Sequence, residues 1–241
     1  MFDAVLCDID GVLRIWDPAA MTDLDLAYGL PPGALAGAAF RPDLLLPAVT
    51  GAVADGEWRA AVAADLAAAC GGAERARALV AEWSAVGARV DREVAALLAR
   101  VRRRVPVVLV SNATTRLEAD LTALGLATAD AGSVDGMVGV GGVDATGGAA
   151  PVVCDAVVNS SRIGVAKPDP RVYRLAAERA GVEVTRCLFV DDTEGHVAAA
   201  REVGMTGLHY RRVAQLREAL HPLVQMAAIR DKGLGHHSEE G

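Results

Sequence analysis

The sequence predicts an α/β protein built on a doubly wound, mainly parallel sheet, with a helical block inserted after its first strand. Short apolar runs that end in polar residues recur at 2–7, 105–110, 152–158, 187–190 and 207–210 and read as strands. Amphipathic helical spacing fills the intervals among the last four of them. The long interval 17–104 is helical, with no strand pattern inside it. Strands alternating with helices imply a parallel sheet covered on both faces, and in such sheets ligands bind at the carboxyl ends of the strands.

The first run, Phe2-Asp3-Ala4-Val5-Leu6-Cys7, stops at Asp8-Ile9-Asp10-Gly11. Residues two apart in an extended chain point the same way, so Asp8 and Asp10 are expected to face one site. Taken alone, the pair reads more readily as a strand followed by a turn. Arg14 to Pro18 is expected to form a small flap beside the site, with Trp16 anchoring it to the core. Asp55 to Leu66, Ala73 to Val86 and Asp91 to Arg103 carry the acidic starts and apolar spacing of helices. Pro31-Pro32-Gly33, Pro47 and Gly71-Gly72 punctuate the block.

Val105 to Val110 forms the second strand and leads to Ser111-Asn112, where a helix carrying Leu117, Leu121 and Leu124 begins. A hydroxyl and an amide at a strand-to-helix junction suit an anion, although taken by themselves they are better accounted for by helix capping. Residues 128–150 are Gly-rich without either period and read as a surface insertion; Gly139 to Asp144 falls short of a dinucleotide fingerprint. Val152 to Val158 is the third strand, followed by Lys167-Pro168-Asp169-Pro170 at the head of a helix. Cys187 to Val190 is the fourth and ends in Asp191-Asp192. Gly207 to Tyr210 is the fifth, a helix over 213–229 closes the fold, and a polar tail covers 231–241. His196 is expected to be a solvent-exposed residue at the start of a helix.

Composition narrows the function classes. The 241-residue chain is 52 % hydrophobic but only 4 % aromatic, so its core is aliphatic. Its formal charge of −7 argues against a nucleic-acid partner, and the basic run Arg100 to Arg104 suits a helix C-terminus instead. Cys7, Cys70, Cys154 and Cys187 lack disulfide or zinc spacing, which suits a reducing compartment. No export signal and no span long enough for a bilayer is visible, so a cytoplasmic protein without a membrane partner is expected. Monomer and homodimer are equally compatible with the sequence.

Every polar group singled out at a strand end bears on one chemistry. Four carboxylates, Asp8, Asp10, Asp191 and Asp192, cannot share a site without a cation, because each close pair repels by roughly 1 to 4 kcal/mol. Mg²⁺, hard and oxygen-liganded, is the expected ion. With Lys167 and Ser111 as an oxygen clamp, the set is an inventory for phosphoryl transfer through an aspartyl intermediate.

The ordered motifs Asp8-Ile9-Asp10-Gly11-Val12, Ser111-Asn112, Lys167-Pro168-Asp169 and Phe189-Val190-Asp191-Asp192 resemble those of the haloacid dehalogenase superfamily. The resemblance implies a Rossmann-like core over 1–16 and 105–230 and a helical cap domain over 17–104. It also implies that Asp8 is the nucleophile and that Asp10 protonates the leaving group, then activates water and lends the metal its main-chain carbonyl. Ser111, Asn112 and Lys167 would bind the phosphoryl group. Asp192 would ligate Mg²⁺ directly, with Asp191 acting through water or orienting Lys167. Asp10 favours a phosphatase of a small phosphorylated metabolite over a dehalogenase, since an alkoxide needs a proton and a halide does not. A phosphomutase, or a catalytically idle binding protein on the same fold, is the alternative.

Overall fold

The computed structural model describes residues 2–126 and 152–233. In chain order the elements are β1 (Ala4–Cys7), β2 (Arg14–Ile15), α1 (Ala20–Ala27), α2 (Ala34–Ala39), α3 (Pro42–Val49), α4 (Asp55–Leu66), α5 (Ala73–Ala85), β3 (Arg89–Val90) and α6 (Arg92–Arg102). There follow β4 (Val107–Ser111), α7 (Leu117–Ala123), β5 (Ala156–Asn159), α8 (Ser160–Ile163), α9 (Pro170–Ala180), β6 (Cys187–Asp191), α10 (Glu194–Glu202), β7 (Thr206–His209) and α11 (Val213–Gly233).

Five strands make one parallel sheet in the order β5-β4-β1-β6-β7, which puts β1 at its centre. Val5 pairs with Val107 of β4 and with Leu188 of β6. A central parallel strand has both faces covered, which is why all four residues of β1 are buried rather than alternating. The alternation reappears in which side each residue packs on. Val5, Cys7, Leu109 and Val190 join α6, α7 and α11 on one face. Ala4, Leu6, Val110 and Phe189 join α9 on the other, where Tyr173 meets Phe189 edge to face at 5.1 Å. Each such fully buried large side chain contributes about 1.5–3 kcal/mol.

Helices α1 to α5 form a separate core around Leu35, Trp58, Val62 and Leu79. Inside it, the buried carboxylate of Asp25 accepts from the N–H groups of Gly33 and Leu35 at 2.7 and 2.9 Å and so fixes the start of α2. Packing ends the helical block earlier than the expected boundary at 104. The apolar stripe of α6, Val94, Leu97, Leu98 and Val101, lies in the cluster of the sheet, not in that of α1 to α5. Nor is the interval free of strands, because β3 pairs antiparallel with β2, Arg14 opposite Val90. Two-residue strands leave no periodic trace, and their pairing is fixed by Asp91 N–H donating to the Leu13 carbonyl at 2.8 Å as well as by the ladder. The flap expected after the first strand is this ribbon.

The third strand begins at Ala156, later than the apolar run, although Val153 and Cys154 before it are buried. The Gly-rich stretch 128–150 and residues 234–241 of the tail lie outside the described residues; 231–233 belong to α11. Among the described residues, no helix is long and apolar enough to cross a membrane.

Candidate functional site

The carboxyl ends of β1, β4 and β6 open into a cavity of about 280 Å³ lined by Asp8, Asp10, Ser111, Lys167, Asp192 and His196, together with Gly11, Asn112 and Thr193. Six of the seven residues proposed from the sequence are in this lining. The seventh, Asp191, lies beneath it and is fully buried.

Asp8 follows β1 directly, and its own N–H continues the ladder to the Val190 carbonyl at 2.8 Å. Its Oδ1 accepts from the Ile9 N–H at 2.7 Å and from Lys167 Nζ at 2.9 Å. Oδ2 has no protein donor among the described residues. Lys167 Nζ also donates to Asp191 Oδ2 at 2.7 Å and to the Val110 carbonyl at 3.1 Å, so three acceptors account for the three ammonium protons. Burial pushes the Asp8 carboxyl up to about 7, with Lys167 pulling against it and Asp191 adding to it. For Lys167, burial works to lower the ammonium pKa, but Asp8 and Asp191 outweigh it and raise it.

Asp191 is saturated. Its Oδ1 accepts from the Thr193 N–H at 2.8 Å, and His196 Nδ1 lies 3.1 and 3.2 Å from its two oxygens. Burial works to raise Asp191, yet the hydrogen bond from His196 and the charge of Lys167 hold it below the usual carboxylate range. Asp192, by contrast, is exposed, and among the described residues its carboxyl accepts only a long bond of 3.3 Å from the Thr193 hydroxyl. Burial of part of its carboxyl and the charge of Asp191 raise it. One oxygen each of Asp8, Asp191 and Asp192 fall within 4.8 Å of one another, a spacing and donor set that fit a hard divalent cation. The approach depends on Gly11: at φ +81° it takes the left-handed conformation, and a Cβ there would stand 1.9 Å from Asp192 Oδ2.

Ser111 is the last residue of β4 and nearly buried, and its hydroxyl has no protein partner among the described residues. Asn112, expected from the sequence to bind phosphate, lines the cavity, and its side chain is bonded to the main chain of Lys167. Its side-chain oxygen accepts from the Lys167 N–H at 2.7 Å and its amide donates to the Lys167 carbonyl at 2.8 Å. The side chain thus clasps the main chain that carries the lysine.

Asp10 faces the cavity but is not in the acid cluster. The guanidinium of Arg14 donates to both of its oxygens, Nε at 2.7 Å and Nη2 at 2.8 Å, and Trp16 Nε1 donates to Oδ1 at 2.7 Å. The reason is local: the chain leaves β1 in a tight turn, with Arg14 N–H bonded to the Ile9 carbonyl at 2.7 Å, so the extended geometry that would align Asp10 with Asp8 stops there. Arg14 is 4 % exposed and has a second carboxylate, Asp120, at 3.5 Å. Trp16 is 42 % exposed and tied to the site through Asp10 and the stacked Arg14 rather than anchored in the core.

The helical block meets the core beside Ser111. The Thr114 hydroxyl donates to Asp55 Oδ1 at 2.7 Å, the Asp55 N–H donates to Thr115 Oγ1 at 3.0 Å, and Arg116 reaches Ser84 at 2.5 Å. The loop that carries Ser111 and Asn112 therefore also holds α4 and α5.

Sequence reasoning missed Arg14 as a partner of Asp10 and placed His196 in solvent. The first residues of a helix tilt their side chains back towards its N-terminus, so a residue in the first turn of α10 covers the end of β6. That direction was the available signal for His196.

The architecture is similar to that of a family enzyme from Bacteroides thetaiotaomicron crystallised with magnesium and inorganic phosphate, at a TM-score of 0.61 and 18 % identity over 88 % of this chain and 95 % of that one. Among curated proteins, 78 residues are 44 % identical to Phosphatase MT3486 of Mycobacterium tuberculosis, covering 32 % of this chain and 36 % of that protein. A stretch of 57 residues is 37 % identical to the fructose-1-phosphate phosphatase YqaB of Escherichia coli, covering 24 % of this chain and 30 % of that protein. The chain thus spans about a third of the length of the curated relatives it matches. A family model described as haloacid dehalogenase-like hydrolase matches residues 2–204, and with the parallel sheet and the strand-end site in place the chain belongs to the haloacid dehalogenase-like hydrolases.

Proposed function

We propose that this hydrolase is a Mg²⁺-dependent phosphatase that removes phosphate from a small phosphorylated metabolite through an aspartyl-phosphate on Asp8. The observation that carries the reading is the state of Asp8: one oxygen is fastened by Ile9 and Lys167, while the other has no protein donor among the described residues, in a cavity shared with a Ser111 hydroxyl that likewise has no partner among them. The phosphatase names of the curated relatives and the phosphate-bound neighbour agree with it.

The carboxylate of Asp8 attacks phosphorus as the bond to the leaving oxygen breaks. Asp10 gives that oxygen a proton, then takes one from the water that attacks the aspartyl-phosphate, and Asp8 is regenerated as phosphate leaves. Asp10 has to exchange its contacts with Arg14 and Trp16 to do this. Ser111 donates to a phosphoryl oxygen, and Lys167 offsets the charge of Asp8 and reaches a phosphoryl oxygen only by giving up one of its three acceptors. Asn112 acts by holding the Lys167 main chain.

Asp8 and Asp192 would hold Mg²⁺ directly, with the main-chain carbonyl of Asp10, because the oxygens of Asp191 are committed to Lys167, Thr193 and His196. When bound, the ion neutralises the clustered carboxylates and polarises the phosphoryl oxygens. Helices α1 to α5 act as the cap: their contacts with Thr114, Thr115 and Arg116 keep them beside the loop that holds Ser111.

Replacing Asp8 by Asn keeps the size of the side chain and removes the nucleophile. Release of phosphate from p-nitrophenyl phosphate with Mg²⁺ is expected to disappear. Undiminished turnover by a folded Asp8→Asn protein would falsify the mechanism.

A further inference from the structure

We infer that His196 determines substrate specificity by hydrogen bonding, through Nε2, to a hydroxyl group carried by the leaving alcohol of a phosphate monoester. The inference rests on the phosphatase reading and deepens it.

His196 lines the cavity, and its Nδ1 faces the fully buried carboxylate of Asp191. An ionised carboxylate only accepts, so Nδ1 carries the proton and donates. The two ring nitrogens point in nearly opposite directions, and Nδ1 aimed down at Asp191 turns Nε2 up towards the cavity. The main chain that carries the ring is held from behind, because the Tyr173 hydroxyl donates to the His196 carbonyl at 2.9 Å, and the ring itself is oriented by its contact with Asp191. Nε2 has no partner among the described residues.

The other polar wall groups have assignments, Thr193 by its hydroxyl, which donates to Asp192 at 3.3 Å. Asp8 and Asp192 belong to the metal and nucleophile set, and Asp10 to proton transfer. Asn112 and Lys167 are saturated by main chain and carboxylates, and Ser111 is the phosphoryl clamp. His196 is left as a directional polar group outside that set. With Nδ1 committed as a donor to Asp191, Nε2 is the ring atom left to meet a substrate, and a hydroxyl is a neutral partner able to bond it. The substrate class this selects is a polyol or sugar phosphate with a hydroxyl near the ester.

The test compares two esters of the same chain length, n-propyl phosphate and glycerol 1-phosphate, with Mg²⁺. The wild-type protein is expected to show a kcat/KM for the hydroxylated ester about tenfold higher, the factor worth one hydrogen bond. His196→Ala is expected to bring that ratio close to one. Loss of fold or of general site integrity lowers both values together and leaves the ratio unchanged, so the ratio separates specificity from a structural role. If His196→Ala does not fold, His196→Gln, whose amide can still donate to Asp191, is read in the same way. A wild-type protein without the preference, or a folded variant that keeps it, overturns the inference while leaving the phosphatase reading intact. A wild-type protein that releases phosphate from p-nitrophenyl phosphate but from neither ester overturns the inference alone, and one that hydrolyses none of the three overturns both.

Discussion

Lys167 Nζ lies 2.9 Å from Oδ1 of Asp8, and both side chains are almost wholly out of solvent. Such a pair is costly to break, because removing one partner leaves a buried charge without compensation. Lys167→Met is therefore expected to lower unfolding free energy by about 3 kcal/mol. Urea denaturation would measure it, and Mg²⁺ should recover part of the loss by taking over the neutralisation of Asp8. A variant as stable as wild type would show that the ammonium is dispensable to the fold.

Proton competition should govern metal binding. In the metal-free protein burial raises Asp8 from 3.8 to about 7. Between those values the folded state holds a proton that an unfolded chain would release, so this group's contribution to stability falls as pH rises through that window. A bound cation reverses the balance. Mg²⁺ is expected to raise the melting temperature more at pH 8 than at pH 6, and to release about one proton per ion at pH 6. Calorimetry at pH 6 in two buffers of different ionisation enthalpy reads that release; identical heats would contradict it.

Gly11→Ala should separate fold from metal binding. The added Cβ meets the end of a flexible side chain, Asp192 Oδ2, which can swing away. Strain at φ +81° costs about 1 kcal/mol, a modest loss of stability. The displaced carboxylate, however, is a metal ligand in the proposed site, so Mg²⁺ affinity is expected to fall by at least about tenfold, as for other disturbed metal ligands. Titration calorimetry on the folded variant is the check.

Asn112→Ala removes both side-chain bonds to the Lys167 main chain. The expected cost is about 1–3 kcal/mol of stability. Turnover should also drop, with kcat falling more than KM changes, because the lysine loses its orientation and no group assigned to substrate binding is deleted. A change confined to KM would instead mark Asn112 as a direct ligand.

What the sequence disclosed and what it hid divide along local and non-local information. The strands of the core announce themselves because a doubly covered sheet demands unbroken apolar runs, and acids placed immediately after such runs, as at Asp8 and Asp191, must lie at the sheet's binding edge. The β2–β3 ribbon left no such mark: Arg14 and Val90 are far apart in the chain and each strand is two residues long. The same holds for α6, whose amphipathic pattern resembles that of α5 and whose allegiance to the sheet depends on what its stripe meets. Within the site, the residue types were legible and their pairings were not. Asn112 was visible as an amide next to a strand end, but that it clasps the backbone around Lys167 follows only from how two distant loops are brought together.

The bidentate hold of Arg14 on Asp10 bears on how freely the proposed catalytic acid can change position. A buried guanidinium that lost its sole counter-ion would resist the change strongly, and Asp10 would be locked where it stands. Asp120, at 3.5 Å from the same guanidinium and itself held by Arg116, gives Arg14 a second anion to fall back on. If Asp10 departs, the arginine keeps a carboxylate beside it rather than being stranded. Because Arg116 also reaches Ser84 at the end of α5, the helical block is mechanically connected to the second anion. The helical block and the arginine that holds Asp10 thus share one chain of contacts, from Arg14 through Asp120 and Arg116 to Ser84.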